Sequence, residues 1–202
     1  MPSPAISSHQ PGTPAGPSQR FVDAALDLFL EHGYNGTSLA MIGDRLGVSK
    51  AAVTYHFRSK EELLAAVVGP AFTDLAQLLD EVEAVRRESA RRREALHAYI
   101  DYLIRQRQVA AWLSRDVAAM THPVVVEPAM ALSGRIDALL VADRDEPLGR
   151  IWGAAITQAL TGPILSEIPV SDDELRLQLE GIGETLLRGY QTARRRAAEP
   201  TD

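Results

Sequence analysis

The sequence has 202 residues, of which 46% are hydrophobic and 24% charged, and its formal net charge is −6. This composition is typical of a soluble globular protein, and the length suits one compact body or a small head on a larger one. The absence of cysteine excludes disulfides and thiolate metal sites. No apolar run of about 18 residues predicts a membrane span, and no N-terminal pattern predicts a secretory signal. We therefore expect a cytoplasmic protein.

Positive charge concentrates in one short window of this acidic chain. Residues 37–60 have a net charge of +3, which leaves −9 for the rest, and the window contains both lysines of the chain. Its charged residues are Arg45, Lys50, Arg58, Lys60 and the single acid Asp44. A cationic face on an anionic body is drawn to phosphate groups, although a cluster of this size also arises by chance.

Hydrophobic periodicity predicts a tail and then a run of helices in the first third of the chain. Prolines and glycines interrupt residues 1–17, where we expect a disordered tail. The helices predicted next are one from Ser18 to Gly33, short ones over residues 39–46 and 49–57, and a long one opened by the Ser59–Glu62 capping box.

The rest of the chain also has helical periodicity. We expect five further helices, over residues 89–108, 110–121, 126–142, 147–166 and 172–197. The breaks are marked by Pro123, residues 143–145 and Pro169, and Ser171 with Glu174 makes a second capping box. Because no alternating strand pattern of five or more residues occurs, the predicted fold class is all-α.

The segment from Thr37 to Leu64 has the pattern of a helix, a glycine turn at Gly47 and a second helix. Glycine suits a sharp turn because it adopts positive φ without strain. The second helix would present small or hydrogen-bonding groups to the major groove of B-DNA, namely Ser49, Lys50, Ala51, Ala52, Thr54 and His56. Phosphate would be bound by Thr37, Ser38, Tyr55 and Lys60. A helical hairpin in a core explains only the apolar residues, and on the residues alone both interpretations stay open.

Residues 18–68 resemble the N-terminal domain of the TetR family of transcriptional regulators. The matching motifs are Gly33-Tyr34, Thr37-Ser38, Ile42, Gly47-Val48-Ser49-Lys50, Tyr55-His56-Phe57 and Ser59-Lys60-Glu61-Glu62-Leu63-Leu64. The resemblance implies three N-terminal helices with a helix-turn-helix, a fourth linking helix, and homodimers that bind palindromic operators. One departure is Gly43, where the family often has alanine. A glycine inside a helix costs about 0.5–1 kcal/mol relative to alanine, so we expect a slightly weaker helix.

The last two predicted helices are expected to form a dimer interface. Helix 147–166 is apolar nearly all round and must be covered on all sides. Helix 172–197 has a seam whose apolar residues step by four and three, beside Gly181, Gly183 and Gly189. The resemblance implies a four-helix bundle between subunits, and a closed monomeric bundle is the alternative. The expected interface residues are Trp152, Ile156, Leu160, Leu175, Leu179, Ile182 and Leu186.

An effector pocket is expected among helices 89–142. Its candidate lining residues, each of which also suits an ordinary core, are Tyr102, Trp112, Asp116, Met120, His122 and Met130. His97, Asp101 and His122 lack the tight spacing of a metal site, so we expect no metal and no other cofactor. Nothing in the sequence suggests a nucleophile, base and orienting group, and we expect no enzymatic activity.

The sequence therefore predicts a homodimeric DNA-binding regulator, a repressor released from a palindromic operator by a small-molecule effector. The alternatives are an activator, a regulator without an effector, and a helical bundle that does not bind DNA. The expected partners are operator DNA, a second copy of the chain and an effector, with no membrane. The predicted division is a tail at 1–17, a DNA-binding domain at 18–66, a ligand-binding and dimerisation domain at 67–197 and a tail at 198–202.

Overall fold

The computed structural model describes residues 18–141, 146–166 and 168–198. The predicted N-terminal tail, most of the C-terminal tail and the predicted break at 143–145 lie outside these ranges. The described residues form helices and contain no strand, so the all-α fold is confirmed. In chain order the helices are α1 (Gln19–Gly36), α2 (Leu39–Leu46), α3 (Lys50–His56), α4 (Lys60–Glu83), α5 (Glu88–Arg105), α6 (Arg107–Arg115), α7 (Val117–Met120), α8 (Pro123–Leu140), α9 (Pro147–Leu165) and α10 (Asp172–Ala198).

The chain divides into two compact units between Leu63 and Leu64, within α4. In the first unit, α1, α2 and α3 enclose a small apolar core. Its largest fully buried side chains are those of Phe21, Phe29, Ile42 and Leu63. Gly33 has a φ of 72°, so α1 kinks there. After the kink, the centroid of the buried Tyr34 ring lies 5.6 Å from that of the Phe29 ring. The ring of Tyr34 is therefore part of the core.

The second unit, which we call the regulatory unit, is built from the rest of α4 and from α5 to α10. One apolar core runs through α4, α5, α8, α9 and α10. The predicted helix 110–121 is wrong in detail, because Asp116 separates α6 from α7 and accepts a hydrogen bond from the Ala119 backbone N–H at 3.0 Å. The predicted break at Pro123 is a helix start instead. Proline is favoured in the first turn, and His122 caps it by accepting from Val124 N.

Helix α4 is long and apolar enough to cross a bilayer by length and composition alone. The same is true of core helices in soluble proteins, and α4 buries an apolar stripe that ends with Leu75, Leu79 and Val82 in the regulatory core. Its composition is therefore explained by packing.

Candidate functional site

Glycine and serine residues fix the crossing of α2 and α3. Gly47 ends α2 in the left-handed region, with a φ of 67°. Ser38 and Ser49 cap α2 and α3, accepting from the backbone N–H groups of Met41 at 3.3 Å and Ala52 at 3.2 Å. A Cβ atom at Gly43 would lie 2.7 Å from the Val48 carbonyl oxygen. The glycine therefore permits the close crossing of the two helices, which the sequence-based account of Gly43 did not foresee.

Helix α3 buries Val53 and leaves its other side in solvent. Lys50, Ala51 and Thr54 are exposed, and Tyr55 is 86% exposed. Ala52 is half-buried, and Ser49 is exposed at the helix start. These small and hydrogen-bonding side chains leave the helix slim enough for a major groove about 12 Å wide. The structure thus brings together most of the residues that the sequence proposed for DNA.

The hydroxyl of Thr54 makes a hydrogen bond within its own helix. Its Oγ1 donates to the Lys50 carbonyl oxygen at 2.9 Å, within the same helix. The hydroxyl proton is therefore directed at the backbone, while the hydroxyl oxygen remains an acceptor. A base contact by Thr54 would then use its methyl group or accept a hydrogen bond.

His56 is directed at α1 and is only half exposed. Its ring centroid lies 4.8 Å from that of Phe21, and its Nδ1 is 3.4 Å from the Ser18 hydroxyl. The sequence placed His56 on the groove-facing side of α3. Its contacts instead assign it to the packing of α3 against α1, and this corrects its proposed base-reading role.

Thr37 is also corrected by the structure. Its side chain is 2% exposed, and its hydroxyl lies within hydrogen-bond distance of two carbonyl oxygens, Leu28 O at 3.1 Å and Gly33 O at 2.9 Å. A hydroxyl buried in this way cannot reach a phosphate. It stabilises the kinked end of α1, because the positive φ at Gly33 leaves carbonyl groups there without helical partners.

Lys60 is held within the first unit. Its Nζ donates to the carbonyl oxygens of Tyr34 at 2.7 Å and Thr37 at 3.1 Å, and it lies 4.3 Å from the Tyr34 ring centroid. These contacts connect the start of α4 to the α1–α2 turn. The geometry therefore makes Lys60 a positioning residue, in place of the direct phosphate ligand that the sequence suggested.

The positive charge of the window is distributed unevenly. Arg45 pairs with Glu31 at 2.6 Å, and this hydrogen bond holds the pKa of Glu31 below its usual value. Arg58 is exposed, and its backbone N–H donates to Glu62 at 2.7 Å. Lys50 and Arg58 are thus the exposed bases of the window without an ion pair in the described residues. The sequence counted Arg58 among the charges but assigned it no role.

The regulatory unit contains a cavity of about 200 Å³ between α4, α5, α6 and α8. Most of its lining is aliphatic, and the aromatic and polar lining residues are Phe72, Tyr99, Tyr102, Gln106 and Ser133. Of the six residues that the sequence proposed, only Tyr102 lines this cavity. The other four aromatic and polar lining residues were missed, because no motif in the sequence marked them.

The other five proposed pocket residues have different surroundings. Trp112 is buried, and its indole N–H donates to Asp116 at 3.3 Å, while Asp116 caps α7. His122 caps α8. Met120 is 49% exposed and Met130 71% exposed. The sequence proposed Asp116 and His122 as lining residues because hydrophobic periodicity does not reveal which polar residues cap a helix.

Comparisons with known proteins agree with this geometry. The model of the bacterial regulatory proteins of the tetR family matches residues 21–67. The transcriptional regulator BetI of Escherichia coli is 28% identical over 138 residues, which are 65% of this chain and 70% of BetI. Residues 21–67 therefore match the TetR family of transcriptional regulators, and relatives such as BetI support the same family. These matches support a DNA-binding transcriptional regulator, and the matched family consists of regulators that are not enzymes.

Solved structures of transcriptional regulators share the fold along most of the chain. PfmR from Thermus thermophilus superposes with a TM-score of 0.64 at 23% identity, covering 84% of this chain and 97% of PfmR. AibR, solved with isovaleryl coenzyme A and operator DNA, has a TM-score of 0.62 at 17% identity, covering 82% and 96%. These likenesses extend the TetR fold through the regulatory unit.

Four residues proposed for a TetR-type dimer interface are buried within this chain. Ile156 and Leu160 of α9, with Leu175 and Leu179 of α10, are at most 8% exposed in the regulatory core. This is a correction, because an apolar seam can be buried by the subunit's own helices. Trp152 and Leu186 are half-buried against the same core, and Ile182 is 39% exposed.

Two of the three glycines beside the seam lie against other residues of the same subunit. A Cβ atom at Gly183 would collide with the Leu96 side chain, and one at Gly189 would lie 2.8 Å from the Trp152 ring. Only Gly181 of the three has open space around it. Gly183 and Gly189 therefore serve packing within the subunit.

The histidine and acid residues considered as metal ligands form ion pairs or caps instead. His97 Nδ1 lies 3.0 Å from Glu180, and Asp101 accepts from Arg176 at 2.7 Å. Within the described ranges, no group of three or more metal-ligating side chains is present.

Proposed function

We propose that the protein is a homodimeric, cytoplasmic repressor that binds a palindromic operator and is released by a small molecule in the regulatory cavity. The observation that carries the proposal is the exposed side of α3, where Lys50, Ala51, Thr54 and Tyr55 stand clear of the unit's core. An α-helix that presents such a face can enter the major groove.

Base contacts are assigned to Lys50, Ala51, Ala52 and Thr54. Lysine donates to the guanine acceptors O6 and N7, and the methyl groups of alanine and threonine suit the thymine methyl group. Phosphate contacts are assigned to the hydroxyls of Ser38, Ser49 and Tyr55 and to Arg58. The two serine oxygens accept from backbone N–H groups, so their protons are directed outward.

The dimer is assigned to exposed stripes on the last two helices. In α9 the residues at helical spacing are Ile151, Ala154, Ala155 and Gln158, and in α10 they are Gln178, Gly181, Ile182 and Thr185. All eight are exposed in the single chain, none is charged, and half of them are small. Such stripes allow helices of two subunits to approach closely, as in a left-handed four-helix bundle.

Release by a ligand is supported by the cavity and by AibR, which was solved with isovaleryl coenzyme A and operator DNA. A ligand weakens operator binding only if it favours a form of the protein that binds DNA less well. The operator and the ligand must then weaken each other by the same factor.

Operator selection from random DNA tests the proposal directly. We expect the selected sequences to form an inverted repeat. The preferred bases should change in Thr54→Ser, which removes the methyl group, and should persist in Thr54→Val, which keeps it. A non-palindromic consensus, or one indifferent to both changes, would contradict the proposal. A reporter gene placed downstream of the selected site separates repression from activation.

A further inference from the structure

The lining of the regulatory cavity carries no formal charge. Its fourteen residues come from four helices and from Gln106 at the junction of α5 and α6, and they include no Asp, Glu, Lys, Arg or His. Ten of them are apolar, and the other four, Tyr99, Tyr102, Gln106 and Ser133, have neutral polar groups. A charged ligand placed here would lose its hydration without gaining an opposite charge from the lining.

The ionisable groups in the lining stay neutral at physiological pH. Burial raises the pKa of Tyr102 to about 12. Burial also raises the pKa of Tyr99, although a hydrogen bond with Thr161 partly opposes this rise. The nearest charges to Tyr102 lie outside the lining and act in opposite senses, since Asp74 raises its pKa and Arg105 lowers it. Tyr102 therefore offers a neutral phenol as a donor or acceptor.

Gln106 is oriented by Asp74 at the edge of the cavity. Its Nε2 donates to the Asp74 carboxylate at 3.0 Å. This hydrogen bond engages an amide donor and leaves the amide oxygen as an acceptor. The Asp74 carboxylate in turn has the Gln106 amide as a hydrogen-bond partner.

The volume limits the part of a ligand that the lining can enclose. A cavity of about 150 Å³ lined by apolar side chains binds benzene, so about 200 Å³ suits a molecule of roughly 8 to 12 non-hydrogen atoms. A coenzyme A thioester, with its nucleotide and phosphates, exceeds this volume and carries several negative charges.

We propose that the cavity takes a small, uncharged and largely apolar molecule with a single polar group recognised by the Tyr102 hydroxyl or the Gln106 amide. The proposal rests on the proposed function for the statement that this ligand is the effector, and on the lining alone for its chemical class. It excludes free carboxylates, amines and coenzyme A thioesters as occupants.

Calorimetric titration of the full-length protein tests the chemical class with matched probes. Methyl benzoate is neutral, benzoate is its anion of similar shape, benzylammonium is a cation of similar size, and isovaleryl coenzyme A is the large anionic probe. We expect methyl benzoate to bind at least about tenfold more tightly than each charged probe. Equal or tighter binding of a charged probe, or no binding of methyl benzoate and toluene up to their solubility limits, would overturn the proposal.

Two variants assign the binding to this cavity. Tyr102→Phe keeps the ring, so it should weaken methyl benzoate about 2- to 10-fold by loss of one hydrogen bond and leave toluene unchanged. Ala129→Leu adds volume to the lining and should abolish both, while Met130→Leu, at a side chain 71% exposed, should change neither. Binding that survives Ala129→Leu in a folded protein places the ligand elsewhere and refutes the proposal.

A gel shift with the selected operator separates the two proposals. Methyl benzoate that binds but does not release DNA supports the chemical class and contradicts the effector role. Release by isovaleryl coenzyme A that is lost in Ala129→Leu supports an effector in this cavity and refutes the chemical class proposed for it.

Discussion

The two lysines of the chain have different surroundings. Lys50 is exposed at the start of α3, whereas the ammonium of Lys60 donates to the Tyr34 and Thr37 carbonyl oxygens. Hydrogen bonds from a charged donor are stronger than those between neutral groups, and leaving buried carbonyl groups unpaired is costly. We therefore expect Lys60 to stabilise the DNA-binding unit through these hydrogen bonds.

Replacing each lysine by methionine, which keeps most of the apolar stem, distinguishes these roles. Lys50→Met should weaken binding to the preferred operator by about 1–3 kcal/mol through loss of a base contact, with little effect on stability. Lys60→Met should leave the dependence of log K on log[salt] unchanged and lower the unfolding free energy by about 1–3 kcal/mol. Operator affinity between 50 and 200 mM salt, with urea denaturation of each variant, makes the measurement. A flatter slope in Lys60→Met at unchanged stability would restore the phosphate role.

Gly43 supplies a second residue-scale prediction. Alanine improves helix propensity, but its Cβ would lie 2.7 Å from the Val48 carbonyl oxygen, a backbone atom. Forcing the backbone apart costs about 1–3 kcal/mol, which exceeds the gain of about 1 kcal/mol from propensity. Gly43→Ala should therefore lower the unfolding midpoint in urea and weaken operator binding. Ala40→Gly, at an exposed position of the same helix, is the control and should lose only about 0.5–1 kcal/mol. A more stable Gly43→Ala protein would show that α2 and α3 do not cross this closely.

Among the elements, α10 divides its apolar residues between the subunit core and solvent. Leu175 and Leu179 are buried against the core, while Leu177 is 62% exposed and Ile182 is 39% exposed. Five residues separate Leu177 from Ile182, about 140° around the helix, so they lie on different faces. The pair allows a charge to be placed on or off the proposed dimer stripe.

Ile182→Glu should yield a monomer, because a carboxylate in the interface is desolvated and lies close to its symmetry mate if the two-fold axis passes nearby. The helical signal in circular dichroism should be retained, and specific operator binding should be lost. Leu177→Glu should remain a dimer, while Ile156→Glu should unfold the subunit because Ile156 is 0% exposed. Sedimentation gives the oligomeric state, and a dimeric Ile182→Glu that binds its operator normally would place the interface elsewhere.

For the whole molecule, charge and symmetry act together. The net charge is −6 although the segment 37–60 is positive, so attraction to DNA is expected to come from this segment. The proposed symmetric dimer would present two such segments, which would have to reach successive major-groove segments about 34 Å apart.

Half-site spacing tests that symmetry. Inserting 5 base pairs at the centre of the selected operator rotates one half-site to the opposite side of the duplex, so affinity should fall to that of a single half-site. An insertion of one base pair changes the separation and phase much less and should be tolerated better. Gel shifts on the three operators compare them, and full affinity after the 5-base-pair insertion would argue that the two heads bind independently.

The sequence by itself determined the all-α class, the helix-turn-helix and most of the exposed residues on α3. These features depend on local signals, namely hydrophobic period, serine caps, the Gly47 turn and a specific combination of motifs. Local signals survive in a sequence because a helix and its caps are formed by residues a few positions apart.

Only the tertiary structure decided which polar and apolar groups face inward. Thr37, His56 and Lys60 are polar residues whose partners lie up to 38 positions away, and no local pattern records such pairs. Likewise, Ile156 and Ile182 both belong to apolar stripes, yet one is buried in the subunit and the other is exposed. The cavity arises where four helices leave the space between them unfilled. Its lining therefore depends on how the helices pack together, and the hydrophobic period of a single helix does not predict it.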